Sequence, residues 1–298
     1  MQANSDHNYG IVLPQWVFGD DADALVKCAV AAEEAGWDGI FLADHLIFPP
    51  PGEFGAVERE TERNADFLDP WITMAGIATR TDAIRLGSWI TPVPRRQPWQ
   101  LARDLATLDH LSDGRVILGT GLGRGTEYST FGREYDQREL GRRYDEALAV
   151  IDGLWSGELF SYDGEYFTID EAVVLPRPVQ EPHIPVVVGG VWPNKKPIRR
   201  GARWDGIIPH WRGDGIVPAD GDVDAAETVR EMLKYYHDHA DDLGEIVLPL
   251  DPPGAQGEYL DVCADLGVTW LYARDLMASE FAEDSTLAID RIREGPPD

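Results

Sequence analysis

The stretch LGSWITPVPRRQPWQLARDLATLDHLSDGRVILGTGLG, Leu86–Gly123, decides how the chain is read. It opens inside an apolar, β-branched run, Ile84–Thr91, that predicts a strand. Trp99–Leu111 follows with the pattern of a helix, and Arg115–Gly119 is a second strand entering the glycine-rich GTGLGRG. Two strands joined through a helix make a parallel unit, because a parallel pair needs a long crossover.

The same alternation extends in both directions. Tyr9–Leu13 and Trp37–Ala43 predict the first two strands, separated by a helix over Ala22–Ala35 that Gly36 ends. A Pro/Gly/Glu-rich excursion from His45 to Asp66 precedes a helix capped by Asp69, with Pro70 at its first position. Beyond the opening stretch come a long helix, Arg138–Trp155, and a hairpin insertion, Leu159–Val174, with its turn signal at Asp163-Gly164. Ile184–Val188 and Trp204–Ile208 are the fifth and sixth strands. Helix Val223–Ala240, strand Glu245–Leu248, helix Gly254–Leu266, strand Val268–Tyr272 and helix Phe281–Arg293 complete the series. Eight strands alternating with about eight helices predict an α/β chain closed as a (β/α)8 TIM barrel, with insertions after strands 2 and 4. An open doubly wound sheet is the alternative. No Gly/Ser-rich linker divides the chain, so residues 1–298 are expected to form one domain, near the ~250 residues such barrels need.

Composition narrows the function classes. Of 298 residues, 43% are apolar and 53 acids face 26 bases, a net charge of −27. So negative a surface repels phosphate backbones, which argues against nucleic acid and anionic membranes as partners. No membrane-spanning run appears, the start MQANSDHNYG lacks the features of a signal peptide, and two cysteines fit a reducing compartment. A cytoplasmic protein is expected. The bases are 22 Arg and 4 Lys and the acids 32 Asp and 21 Glu, a balance suited to a salt-crowded, halophilic cytoplasm.

In a barrel of this kind the chemistry gathers at the carboxyl ends of the strands. The first six ends here carry Gln15-Trp16, Asp44-His45, Trp89-Ile90-Thr91, Thr120-Gly121 with Gly123-Arg124-Gly125, Gly189-Gly190, and His210-Trp211. Together they suggest a mouth that admits a flat ligand, although each has a plain alternative as a cap or a turn. Thr120–Gly125 resembles a dinucleotide fingerprint but has Arg124 where the third glycine belongs. The segment WPNKKPIRRGAR, Trp192–Arg203, concentrates Lys195, Lys196, Arg199, Arg200 and Arg203, a basic knot suited to phosphate or to salt bridges with surface acids. Arg95-Arg96 fits packing against neighbouring acids somewhat better. No metal-ligand spacing is present, and His237-x-His239 does not share a helix face. Neither a GxSxG elbow nor a GxxxxGK[ST] loop occurs, which leaves redox chemistry with an organic cofactor.

FLADH at Phe41–His45, the Leu86–Gly123 stretch, Phe131-Gly132 and IPVVVGGVWPNKKPIRRGARWDG at Ile184–Gly206 resemble the bacterial-luciferase-like oxidoreductases over about Tyr9–Pro209. The resemblance implies a barrel that binds flavin mononucleotide or the deazaflavin coenzyme F420, with F420 favoured by Asp44-His45 and the composition. It implies that Asp44 and His45 are catalytic, with His45 exchanging the proton that accompanies hydride transfer. It places a non-prolyl cis peptide at Trp89–Ile90 and assigns cofactor contacts to Gln15, Trp89, Ile90, Thr91, Thr120, Gly121, Gly189, Gly190, Lys195 and Lys196. It also implies a homodimer through Pro70–Arg80 and Trp99–Leu111, and a small-molecule substrate. Arg124 stands roughly where sugar-phosphate dehydrogenases of this type carry an acid, which counts against that reaction. Trp16 and Trp89 suggest a planar or apolar substrate. The alternatives are an FMN-dependent monooxygenase using oxygen and a separate reductase, and a non-catalytic cofactor-binding barrel.

Overall fold

The computed structural model describes residues 7–13, 15–47, 67–211, 223–252, 258–273 and 285–297. The strands are β1 (Asn8–Leu13), β2 (Gly39–Leu42), β3 (Arg85–Ser88), β4 (Thr91–Pro92), β5 (Val116–Gly121), β6 (Phe160–Asp163), β7 (Thr168–Ala172), β8 (Val186–Trp192), β9 (Gly206–Trp211), β10 (Glu245–Pro249) and β11 (Trp270–Ala273). Eight of them close on themselves in the order β1-β2-β3-β5-β8-β9-β10-β11, every pair parallel, with β11 returning to β1 at Asn8↔Trp270. The closed barrel is therefore the one the alternation predicts, and the open sheet is set aside.

The helices are α1 (Ala22–Glu34), α2 (Pro70–Ala78), α3 (Pro98–Leu111), α4 (Gly125–Thr130), α5 (Gln137–Trp155), α6 (Lys195–Gly201), α7 (Ala225–His237), α8 (Tyr259–Asp265) and α9 (Ser285–Arg293). Aspartates cap four of them: Asp21 accepts from the Ala24 amide, Asp69 from Ile72, Asp136 from Arg138 and Asp224 from Glu227. Part of the short-carboxylate excess thus satisfies helix starts whose first amides have no partner in the helix. The Leu159–Val174 insertion is the expected antiparallel hairpin, β6 with β7.

Three details differ from the expectation. The third strand breaks at Trp89-Ile90, whose peptide is cis as the resemblance implied, and resumes as β4 beside β5. The fifth and sixth strands run on through Gly189-Gly190 and His210-Trp211. Thr120 and Gly121 end β5 and Gly125 starts α4, with only residues 122–124 between the two elements. Much of the His45–Asp66 excursion lies outside the described residues.

Inside the barrel, Phe41, Trp89, Trp270 and Tyr272 pack with Val12, Ile117, Val187, Ile208 and Val247. The Phe41 ring is edge-on to Trp89 and to Trp270, 5.8 Å from each. Glycine makes room for it: a Cβ on Gly87 would stand 2.4 Å from its ring and one on Gly10 2.7 Å. Around the barrel, Leu25, Cys28, Ala29 and Ala32 of α1 and Leu101, Leu105 and Leu108 of α3 form part of the outer core.

The LARDLATLDHLSDGR block, so recognisable in the sequence, is scaffold rather than site. Buried Asp109 accepts from the Val179 and Gln180 amides and the Gln180 side chain. Arg115 donates to the Ala78, Thr81, Ile84 and Ser112 carbonyls. These two residues satisfy backbone groups that would otherwise be buried without partners.

Candidate active site

The carboxyl ends of the strands surround a cavity of about 1210 Å³. Trp16, His45, Trp89, Ile90 and His210 line it, together with residues of α5 and α6 that are mostly cationic. Trp16 stacks on Phe67 at 5.8 Å, Phe67 meets the His45 ring edge-on at 5.7 Å, and His210 meets Trp89 edge-on at 5.7 Å.

Asp44 and His45, neighbours in sequence, have different surroundings. His45 lines the cavity. Asp44 does not: it is 2% exposed and its carboxylate accepts from Arg96 Nε at 3.0 Å and Nη2 at 2.9 Å, and from Arg95. The single 3-10 turn Val93–Arg95, directly after β4, delivers both guanidiniums to one carboxylate. Asp44 is therefore an anchor for that turn, one residue before the cavity-lining His45. Arg95-Arg96 do pack against acids, as the sequence favoured.

Behind His45 stands a residue that sequence reasoning missed. Glu127, in α4, is 1% exposed; its Oε1 accepts from the Leu46 amide at 2.7 Å and Arg95 Nη1 at 2.8 Å, and lies 3.5 Å from His45 Nδ1. Burial works to raise the Glu127 pKa, but the hydrogen bond and charge of His45, the charge of Arg95 and the Leu46 amide outweigh it and hold the carboxyl below its usual range. Asp44, Glu127, Arg95 and Arg96 form a charge-balanced group, two buried acids against two half-buried guanidiniums. The region after β5 does carry an acid, three residues beyond Arg124. The signal was the sequence Glu127-Tyr128 in what reads as a loop; only the one-and-a-half-turn helix α4 points it at His45.

Gln15 is fully buried and clasps the end of β2: its Nε2 donates to the Ala43 carbonyl at 2.8 Å and its Oε1 accepts from the Ala43 amide at 2.9 Å. Thr91, Thr120 and Gly121 are likewise buried behind the cavity wall. Thr120 Oγ1 donates to the Thr91 carbonyl at 3.3 Å, and a Cβ on Gly121 would stand 2.4 Å from Ile90 Cδ1. None of the four is among the residues that line the cavity: Thr91, Thr120 and Gly121 lie beside the Trp89–Ile90 peptide, and Gln15 holds the end of β2. Gly189 and Gly190 do line it, although packing is what requires their bare backbone. A Cβ on Gly189 would meet Ile90 Cδ1 at 2.4 Å and one on Gly190 would meet Pro197 at 2.2 Å.

The basic knot divides. Lys195 Nζ lies between the Trp192 and Tyr235 rings, 3.8 and 4.0 Å from their centroids. Arg200 donates to Asp145 at 2.6 and 3.0 Å and stacks on Tyr144, and Arg203 shares that carboxylate. Lys196 and Arg199 line the cavity exposed. Among the described residues no group of acids, histidines and cysteines could hold a metal ion, and no helix is long and apolar enough to cross a membrane.

A closed barrel with its polar side chains around one cavity at the strand ends is the architecture of an enzyme that positions a large ligand. Residues 2–241 match the model of the luciferase-like monooxygenase family, and the chain belongs to that family. An uncharacterised protein of Mycobacterium tuberculosis is 30% identical over 297 residues, covering 96% of this chain and 97% of its own length. An F420-dependent glucose-6-phosphate dehydrogenase of Microbacterium testaceum is 34% identical over 171 residues, covering 57% of this chain and 47% of the relative. The coenzyme F420-dependent tetrahydromethanopterin reductase of Methanopyrus kandleri superposes with a TM-score of 0.65 at 15% identity, covering 97% and 98% of the two chains. The protein is a luciferase-like oxidoreductase.

Proposed function

We propose that this oxidoreductase moves a hydride between reduced deazaflavin coenzyme F420 and a small organic substrate. The supporting observation is the placement of His45: it lines the cavity with Nδ1 held toward a buried carboxylate. The described residues fit the cofactor. Trp89 and Ile90 offer a shelf for a flat ring, and Lys196 and Arg199 offer cations for its phosphate-bearing tail. When bound, the deazaflavin supplies the ring carbon that carries the hydride.

The chain's own residues hold the ring and manage the proton. Glu127 fixes the His45 imidazole and faces any positive charge that develops on it, so the ring can take or give a proton at the substrate. Trp16, Trp89 and His210 give the cavity an aromatic wall beside His45. Those rings favour an uncharged, planar or apolar substrate over a sugar phosphate.

An FMN-dependent monooxygenase is the second reading, favoured by the fit of Lys196 and Arg199 to a single terminal phosphate. We read the assembly as a homodimer through α2 and α3, where Ile72 is 77% exposed and Trp99 41%. We place the protein in the cytoplasm of a salt-rich cell, on its composition and its two buried free cysteines.

Titration of the purified protein in concentrated KCl with each cofactor tests the reading. Saturable binding of F420, with hydride transfer that is lost in His45→Ala while binding persists, is the expected result. Binding of FMN alone would favour the monooxygenase. A His45→Ala variant with undiminished turnover would overturn the role given to His45.

A further inference from the structure

We propose that Arg95 and Arg96, adjacent in sequence, do different work: Arg95 is the positioning residue that keeps Glu127 an ionised carboxylate behind His45, and Arg96 neutralises Asp44. The proposal rests on the reading that His45 exchanges a proton at the cavity. A carboxylate taken out of water reverts to its neutral form unless a cation and hydrogen-bond donors hold its charge. Glu127 is 1% exposed, and its Oε1 receives the Leu46 amide at 2.7 Å and Arg95 Nη1 at 2.8 Å. Its Oε2 is buried too and has no hydrogen-bond partner among the described residues. One amide and one guanidinium donate to this group, and of the two only the guanidinium is charged.

The two arginines leave one turn and reach different oxygens. Arg96 donates Nε to Asp44 Oδ2 at 3.0 Å and Nη2 to Oδ1 at 2.9 Å, a two-pronged match of guanidinium to carboxylate. That match holds Asp44 without a second cation. Arg95 turns Nη2 to the Asp44 carbonyl at 3.0 Å and to Oδ1, which leaves Nη1 aimed at Glu127. The turn is tied from its other side by Arg143 of α5, whose Nε donates to the Pro94 carbonyl at 3.3 Å. Glu127 is thus faced by His45 from the end of β2 and by Arg95 from the turn, with Asp44 beyond Arg95 and Tyr128 beside it on α4. His45 and Arg95 hold the Glu127 carboxyl low against burial. Without Arg95, burial meets less opposition and Glu127 takes its proton at higher pH, where it no longer offers His45 a negative charge.

The experiment is a pH titration of the full chain in concentrated KCl, followed by infrared difference spectroscopy. The carbonyl stretch of a neutral carboxyl reports protonation of Glu127 and is assigned by its absence in Glu127→Gln. Arg95→Gln should raise the Glu127 midpoint by about one to three pH units, and Arg95→Lys should bring most of the shift back. Arg96→Gln should lower the melting temperature and leave the midpoint in place. An unmoved midpoint in Arg95→Gln, or an equal shift in Arg96→Gln, overturns the division of work. If Arg95→Gln does not fold, the double variant Arg95→Gln/Glu127→Gln carries the test. Removing the stranded carboxylate should restore folding, and a double variant that also fails to fold overturns the proposal. None of these readouts uses a substrate or a cofactor. Undiminished turnover in His45→Ala would overturn the role given to His45 without touching this titration, so the two failures can be told apart.

Discussion

Glu127 Oε1 lies 3.5 Å from His45 Nδ1, and the same oxygen receives Arg95 and the Leu46 amide. A buried carboxylate thus lies behind the imidazole and is itself held by a guanidinium that also holds Asp44. Removing the charge while keeping the shape tests the relationship. Glu127→Gln should lower turnover by roughly ten- to a hundredfold, within the range of positioned proton transfer, while cofactor affinity changes little. Single-turnover rates and binding titrations on the same preparation would show the split; equal losses in both would count against it.

Asp44 should behave as a structural residue. In Asp44→Asn the half-buried Arg95 and Arg96 lose the buried counter-charge they share, which costs about 3 kcal/mol. Thermal or denaturant unfolding should show a clear loss of stability. A variant as stable as the parent but inactive would return Asp44 to the chemistry.

His183 gives the fold a pH dependence away from the cavity. Its Nδ1 is 2.8 Å from Asp152 and its Nε2 2.9 Å from Asp205, and hydrogen bonds to Asp152 and Asp205, against burial, raise its pKa to about 10. A pKa raised on folding means the charged imidazole stabilises the native state. That contribution is complete below the unfolded value of 6.5 and fades as pH rises through about 10. Unfolding midpoints should therefore fall between these limits, and His183→Gln should flatten that slope.

The interior of the barrel has no spare volume at Gly87. A methyl group there would meet Phe41 Cδ1 and Cε1 at 2.4 Å, so Gly87→Ala should destabilise by about 1–3 kcal/mol. Adding Phe41→Leu should recover part of the loss, as a double-mutant cycle by chemical denaturation would reveal.

With a net charge of −27, self-repulsion opposes the compact state until ions screen it. Melting temperature should rise as KCl increases from about 0.1 M to about 2 M, where the screening length falls from ~10 Å to a few ångströms. An unchanged melting temperature would remove the argument for a salt-rich cytoplasm.

The elements were legible because their signals are local. The alternation of Ile84–Thr91, Trp99–Leu111 and Arg115–Gly119 appears as β3, α3 and β5 within a few residues, and the aspartate caps fall where the sequence marks them. The site was only half legible. His45, Trp89, Ile90, Gly189, Gly190, Lys195 and Lys196 do line the cavity, whereas Asp44, Gln15, Thr91, Thr120 and Gly121 support it from behind. A strand's alternation shows that neighbours point to opposite sides, but where a strand gives way to a loop the period stops, and Asp44 and His45 cannot be told apart by spacing.

By itself the sequence determined the order of the eight barrel strands and of the longer helices between them, the excess of short acids and the concentration of cations after β8. These depend on periodicity and composition within a few residues of each position. The tertiary structure alone decided which charges meet. Glu127 reaches Leu46 across 81 positions and Arg95 reaches Asp44 across 51, contacts that exist only because β2, β4 and β5 are brought together by barrel closure. Closure also placed Arg200 and Arg203 on Asp145, while Lys196 and Arg199 on the same cavity stay exposed. No local pattern encodes that division, because it depends on where α5 lies against α6.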